Sequence, residues 1–231
     1  MSVLIVIAHP DDEALGCGAT AALLAARGIS VRACILSGEA AARRGRPELG
    51  ELHADMRRAQ QILGMGEPIL GDFPNIKLNT VAHLDLVQFI EKAMMECEAD
   101  MLFTHHPSDL NDDHVQVSRA CQAAARLFQR RDDIPPLKAL YFMEILSSTE
   151  WTFGAGGDPF KAETFFEVGE EFLARKLEAL ASYRGVLREY PHPRSKEAVR
   201  ALAMLRGSQA GLQLAEAFQA PFRRMVPEEF I

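Results

Sequence analysis

The stretch Val3-Leu-Ile-Val-Ile-Ala-His-Pro-Asp-Asp-Glu13 decides the fold. Its five consecutive aliphatic residues, Val3 to Ile7, read as a strand buried on both faces, since a strand with one wet face would alternate apolar and polar residues. Pro10 ends it, having no N–H to give a sheet and pushing the residue before it toward extended geometry. His9 therefore falls at the carboxyl end of the strand, the edge at which open α/β sheets bind ligands. An imidazole and the carboxyls of Asp11, Asp12 and Glu13 then crowd one turn. Burying them together is costly unless something positive joins them, and a divalent cation meets that need. His9 and Asp12 can face one point, and nitrogen with carboxylate oxygen suits zinc or a neighbouring first-row metal. Asp11 points elsewhere and is free to act as a base. Acids after a strand also cap the next helix and favour its dipole, which accounts for Glu13 but not for His9.

Outward from this stretch, apolar runs alternate with helical patterns. Ala14 to Arg27 is rich in Ala and Leu and stops at Gly28, as a helix with a glycine after its last turn does. Val31 to Leu36 reads as a second strand, Glu48 to Leu63 as a helix, Pro68 to Phe73 as a third strand and Val81 to Cys97 as a helix. Asp100-Met-Leu-Phe-Thr-His-His-Pro107 repeats the opening theme, a strand running into histidines and a proline. A helix over Val115 to Arg131 and a fifth strand within Leu137 to Leu146 follow, Thr164 to Val168 adds a strand, and the chain from about Glu170 reads as helical. The alternation predicts an α/β, Rossmann-like three-layer sandwich with a mostly parallel sheet and right-handed crossovers, residues 1–231 forming a single domain with a helical C-terminal part.

Bulk properties exclude several functions. With 231 residues, 48% of them hydrophobic, and a formal net charge of −7, the chain can bury a large core and is a poor general binder of nucleic acid or anionic membrane. The four cysteines, Cys17, Cys34, Cys97 and Cys121, form no CxxC pair and read as buried free thiols, which suits a reducing compartment. The amino-terminal apolar run is too short for a signal peptide and no segment approaches a membrane span, so the expected location is cytoplasmic. Gly16-Cys-Gly18-Ala-Thr-Ala21 spells a dinucleotide fingerprint, with Glu39 at the spacing of a ribose-binding acid. Its position is wrong, because three carboxylates stand where a pyrophosphate would sit. The glycines are better explained by close approach of helix to sheet.

A cation at His9 and Asp12 needs a third ligand. His114 is the best candidate, its loop following another strand of the same sheet, with His105 and His106 nearer that strand's end. Three protein ligands leave one position for water, the arrangement of a hydrolytic zinc site, and Asp11 can take that water's proton.

Ala8-His-Pro-Asp-Asp-Glu13 resembles, at all six positions, the signature of the LmbE-like or PIG-L-like zinc-dependent de-N-acetylases, and Asp109-Leu-Asn-Asp-Asp-His114 resembles their second motif. Ser147-Ser-Thr-Glu-Trp151, Pro191-His-Pro-Arg-Ser195, Arg206-Gly-Ser208 and Ala215-Glu-Ala-Phe218 resemble a bacterial branch acting on sugars. The resemblance implies that His9, Asp12 and His114 bind Zn2+ (Fe2+ being another candidate) and that Asp11 is the general base. It further implies that the substrate is a small N-acetylated amino sugar, and that an arginine after the second strand, Arg44 with Arg43 beside it, contacts it. Some branches carry a histidine where this chain has Asn111; an amide can support an oxyanion but cannot deliver a proton at neutral pH. His106 and His192 are then the imidazoles expected to serve as acid or to contact substrate, unless Asp11 returns the proton itself. Asp113 can orient an imidazole, and Trp151 can stack on a sugar ring. Assembly into a homo-oligomer is compatible with this reading. Two alternatives stay open at this level: an Fe(II) facial-triad enzyme, and a non-catalytic nucleotide- or sugar-binding module.

Overall fold

The run that opens the chain forms β1 (Ser2–Ile7), and its side chains alternate between two apolar cores. Val3, Ile5 and Ile7 pack into one, Leu4 and Val6, with Ala8 beyond the strand, into the other. Both faces of the strand are therefore apolar because both are covered by helices. The computed structural model describes residues 1–39, 48–153 and 157–225.

On one side of β1 lie, parallel to it, β2 (Ser30–Ile35) and β3 (Ile69–Leu70); on the other side lie β4 (Met101–His105) and β5 (Ala139–Met143). Two further strands, β6 (Thr164–Glu167) and β7 (Ala215–Arg223), are antiparallel to their neighbours and complete a seven-stranded sheet ordered β3-β2-β1-β4-β5-β7-β6. Helices α1 (Asp12–Ala26), α2 (Leu49–Leu63), α5 (Gly169–Ser182) and α6 (Lys196–Ala210) share the core on one face. Helices α3 (His83–Cys97) and α4 (Asp112–Ala124) share the other. This is the expected three-layer α/β sandwich with a mostly parallel sheet. Because α1 leaves β1 on one face and α4 leaves β4 on the other, the carboxyl ends of these neighbouring strands open a crevice between them, the switch point of the sheet.

Four expectations change. The C-terminal part is not wholly helical: Ala215–Arg223 is a strand between β5 and β6, disguised by Pro221 and by the small alanines of its alternating half. The third strand shrinks to Ile69–Leu70, with one isolated bridge between Ser37 and Asp72, as befits a sheet edge. The fourth helix stops at Ala124, and a single 3₁₀ turn, Leu127–Gln129, replaces its last turns. Helix α1 starts at Asp12 and is broken at Cys17 (φ −145°, ψ 24°).

Close packing beside that break accounts for Gly16. A Cβ on Gly16 would lie 2.8 Å from Ile145 Cδ1 and 2.9 Å from Met143 Sδ, so a larger residue there would make these side chains shift, and glycine lets the helix approach the end of β5 this closely as they stand. A buried ion pair supplies partners for the interrupted backbone. Lys176 Nζ donates to the Leu15 carbonyl at 2.7 Å and to Glu216 Oε1 at 2.6 Å, while Glu216 accepts from the N–H groups of Ala19 and Thr20 at 3.2 and 2.7 Å. Both ends of the break are thus satisfied from α5 and β7. The four cysteines are free, and no helix among the described residues is long and apolar enough to cross a membrane.

Candidate metal centre and active site

His9 stands two residues beyond β1, Asp12 opens α1, and His114 lies in the first turn of α4. The crevice between β1 and β4 brings these three together: one ligand atom from each lies within 4.8 Å of the others. Asp12 Oδ2 is 3.3 Å from His114 Nε2 and 3.6 Å from His9 Nδ1. The opposite ring nitrogens face carboxylates. His9 Nε2 pairs with Asp113 Oδ2 at 2.9 Å; Asp109 Oδ1 lies 3.1 Å from His114 Nδ1, within reach though off the line of a well-formed hydrogen bond. Asp113 is anchored by the N–H groups of Ile76 at 2.7 Å and Leu78 at 2.9 Å. Asp109 accepts from the Ser148 hydroxyl, from Thr149 Oγ1 at 2.7 Å and from the Asn111 N–H at 2.8 Å. Imidazoles whose far nitrogens meet carboxylates while the near ones converge are the support structure of a metal site.

Charge tells the same story. Burial alone would lower the His114 pKa, but Asp12 and Asp109 carry it up to about 10. Burial likewise opposes protonation of His9, and Asp113 and Asp12 outweigh it and raise its pKa. Asp12, which burial would push up, is held well below the usual carboxylate range by His114 and His9. Protons on these rings are what a divalent cation at the same point would displace. Two imidazole nitrogens and one carboxylate oxygen suit a borderline first-row metal with an open position. His105 is no part of this set: its Nε2 accepts the Ala8 N–H at 2.9 Å, and its ring stacks on that of His114 at 3.8 Å. Burial, then the charge of His114, depress its pKa to about 3, so it is a neutral brace between β4 and β1.

A cavity of about 200 Å³ opens over the centre, walled by His9, Asp11, Asp12 and His114 with Asn111, Arg194, Glu39, Asn75 and Ile76. An adjoining hollow of about 380 Å³ shares Ile76, Asn111, His114 and Arg194 and extends to Leu110, Ser147 and Ser148. Asn111 caps α4, its Oδ1 accepting from the Asp113 N–H at 3.0 Å, which leaves its NH₂ as the donor end. Asp11 adopts φ 102°, ψ −23°, a left-handed conformation that costs a residue with a side chain about 1–3 kcal/mol. Ile76, at φ 57°, is the second such residue in the wall. In each case a buried carboxylate accepts the strained residue's N–H, Glu13 for Asp11 at 3.2 Å and Asp113 for Ile76 at 2.7 Å. Burial pushes the Glu13 carboxyl up to about 7, against the pull of the Tyr183 hydroxyl.

Two expected imidazoles are placed elsewhere. His106 does not line the cavity: its Nε2 meets Gln219 Oε1 at 3.1 Å, its Nδ1 accepts the Ser108 N–H at 3.2 Å, and Phe142 and Phe160 flank its ring. His192 is exposed and its Nδ1 accepts the Arg194 N–H at 3.0 Å. From that segment it is Arg194 that enters the site, its Nε donating to Ser147 Oγ at 2.6 Å and its Nη1 lying 3.8 Å from Asp11 Oδ2. Sequence reasoning missed it, although it sits inside the Pro191-to-Ser195 motif. Arg43 and Arg44 lie outside the described residues. Trp151 is half exposed and packs on Phe153.

The model of the family described as PIG-L, GlcNAc-PI de-N-acetylase, matches residues 4–125. The Escherichia coli protein described as "Uncharacterized deacetylase YaiS" is 28% identical over 190 residues, 79% of this chain and 90% of that protein. Among solved structures, the 4-carboxy-2-hydroxymuconate hydratase GalB of Pseudomonas putida superposes with a TM-score of 0.77 at 21% identity, covering 97% of this chain and 98% of that one. The N,N'-diacetylchitobiose deacetylase of Pyrococcus horikoshii superposes with a TM-score of 0.74 at 15% identity, covering 100% and 88%. One fold therefore serves a hydratase and a deacetylase, and the reaction has to be argued from the site.

Proposed function

Because the chain belongs to the GlcNAc-PI de-N-acetylase (PIG-L) family of hydrolytic deacetylases, we propose that it removes the N-acetyl group from an N-acetylglucosamine-type sugar derivative, releasing acetate and a free amine. The observation that carries this reading is the convergence of His9, Asp12 and His114 on one point, with the carboxyl-bearing Asp11 in the same cavity wall. Zinc is the proposed cation, held by His9 Nδ1, an Asp12 oxygen and His114 Nε2. When bound there it supplies a Lewis acid and brings the pKa of a coordinated water near neutrality.

The chain's own residues do the rest. Asp11 accepts the proton of the attacking water, and with Asn111 unable to deliver one, it returns that proton to the departing nitrogen. Asn111 offers its NH₂ to the oxygen on which negative charge develops. Arg194 binds an oxygen-rich part of the substrate at the junction of the two hollows. The sugar class follows the substrate in the family's description, and the free cysteines suit the reducing cytoplasm as its setting.

The test is an acetate-release screen over N-acetylhexosamines with different groups at C1, run alongside metal analysis. About one divalent metal per chain is expected. Asp11→Asn should keep that metal and lose at least about 100-fold in kcat, the scale of a removed general base. Protein that takes up no metal, or Asp11→Asn with full activity, would defeat the proposal.

A further inference from the structure

Glu13 is the one acid of the opening motif with no task in the proposed reaction. A helix-capping acid needs only its own first turn and does not have to be buried. Glu13 is 0% exposed, and its Oε1 accepts from two distant elements: Gln60 Nε2 of α2 at 3.0 Å, and the hydroxyl of Tyr183 at the end of α5. Its other oxygen, Oε2, accepts the N–H of Asp11 at 3.2 Å. Gln60 and Tyr183 are themselves buried, and none of the three lines the cavity. The carboxyl is thus fixed from behind by two helices and holds, in front, the backbone of a residue in a conformation that an aspartate adopts only when its surroundings dictate it.

The geometry points to Glu13, fixed by Gln60 and Tyr183, as a positioning residue that locks the Asp11 turn in its left-handed conformation and so aims the Asp11 carboxyl into the cavity. This rests on the proposed role of Asp11. With Oε1 held by two buried donors the carboxyl group cannot turn or drift, so Oε2, the N–H it accepts and the φ of Asp11 are set with it. Releasing the turn swings the Asp11 side chain relative to Asp12, and misplacement of a catalytic group by about 1 Å costs on the order of 100-fold in rate.

The experiment compares Tyr183→Phe, Gln60→Met, Glu13→Met and Glu13→Gln for kcat, KM and metal content, and solves the crystal structures of Tyr183→Phe and Glu13→Met. Tyr183→Phe and Gln60→Met each remove one donor without opening the fold; kcat should fall about 10-fold with KM within about twofold and the metal retained. Glu13→Met should lose about 100-fold or more. Glu13→Gln keeps an acceptor oxygen for the Asp11 N–H and should recover most of that loss. In the Glu13→Met crystal, Asp11 should leave the left-handed region. Full kcat per metal-loaded molecule in Glu13→Met, or an Asp11 that keeps a φ near its present value there, would overturn the assignment. Should Glu13→Met not fold, the same two criteria apply to Tyr183→Phe. If the wild-type chain released no acetate, the functional proposal would fail while the crystal structures still decided the positioning role.

Discussion

Two carboxylates outside the cavity back the two histidines that face it. Asp113 meets His9 Nε2 at 2.9 Å and so fixes which nitrogen of that ring turns toward Asp12, while Asp109 lies 3.1 Å from His114 Nδ1 and holds a negative charge behind the second ring. Asp113→Asn should weaken metal binding by about 10–100-fold in competition with a chelator, with the fold intact; unchanged affinity would show that Asp113 does not orient His9. Protons compete at the same place. With His114 raised to about 10 and His9 raised above its ordinary value, at least one proton must leave for each cation bound at neutral pH, and apparent metal affinity should climb at least about tenfold per pH unit as pH rises toward 10. Calorimetry in buffers of different ionisation enthalpy reads that proton directly; no proton release at pH 7 would contradict it. For the metal-free chain the sign is equally defined. A raised imidazole stabilises the fold fully below its ordinary value of 6.5, and that stability is lost as pH rises through about 10. Asp109, which burial would raise but His114 and the Ser148 hydroxyl bring to about 2, stabilises above 3.8 and loses that contribution as pH falls through about 2. At the opposite wall, Arg194→Met should lower kcat/KM by about 10–100-fold, matching loss of a charge-assisted hydrogen bond of about 1.5–3 kcal/mol, whereas an unaffected kcat/KM would remove Arg194 from the substrate site.

At the scale of elements, α1 carries the site at its first turn and a break one turn later. Lys176 and Glu216 close that break as a buried pair at 2.6 Å. Removing either partner alone, by Lys176→Met or Glu216→Leu, should cost about 3–5 kcal/mol in urea unfolding, because it strands a buried charge, and replacing both should recover much of the loss. A pair of single variants costing under about 1 kcal/mol would mean water reaches the break. The elements that could be read from residues were those whose patterns are local: β1 from its unbroken aliphatic run, and α3 from its helical spacing. Strand β7 could not, since its place between β5 and β6 is set by partners far away in sequence, and Pro221 argues locally against it. The same holds for Gln60 and Tyr183, an ordinary polar residue in a helix and an ordinary aromatic at a helix end until tertiary packing brings both to Glu13.

Across the whole molecule, the convergence of His9, Asp12 and His114 follows from topology. β1 and β4 are adjacent and parallel, and their following helices leave to opposite faces, so the residues just past each strand meet in one crevice although about a hundred positions separate them. His9 and Asp12 were legible because they are neighbours at a strand end; His114 was legible because its loop follows a strand of the same sheet. Arg194 was not, because nothing in Pro191-to-Ser195 marks which of its polar side chains turns inward. The most direct test of the central claim is an anomalous-difference map from crystals soaked in zinc and measured at its absorption edge. A single strong peak at about 2.0–2.2 Å from His9 Nδ1, His114 Nε2 and an Asp12 oxygen is the predicted result. A peak bound through other atoms, or none at this crevice in zinc-loaded crystals, would contradict it.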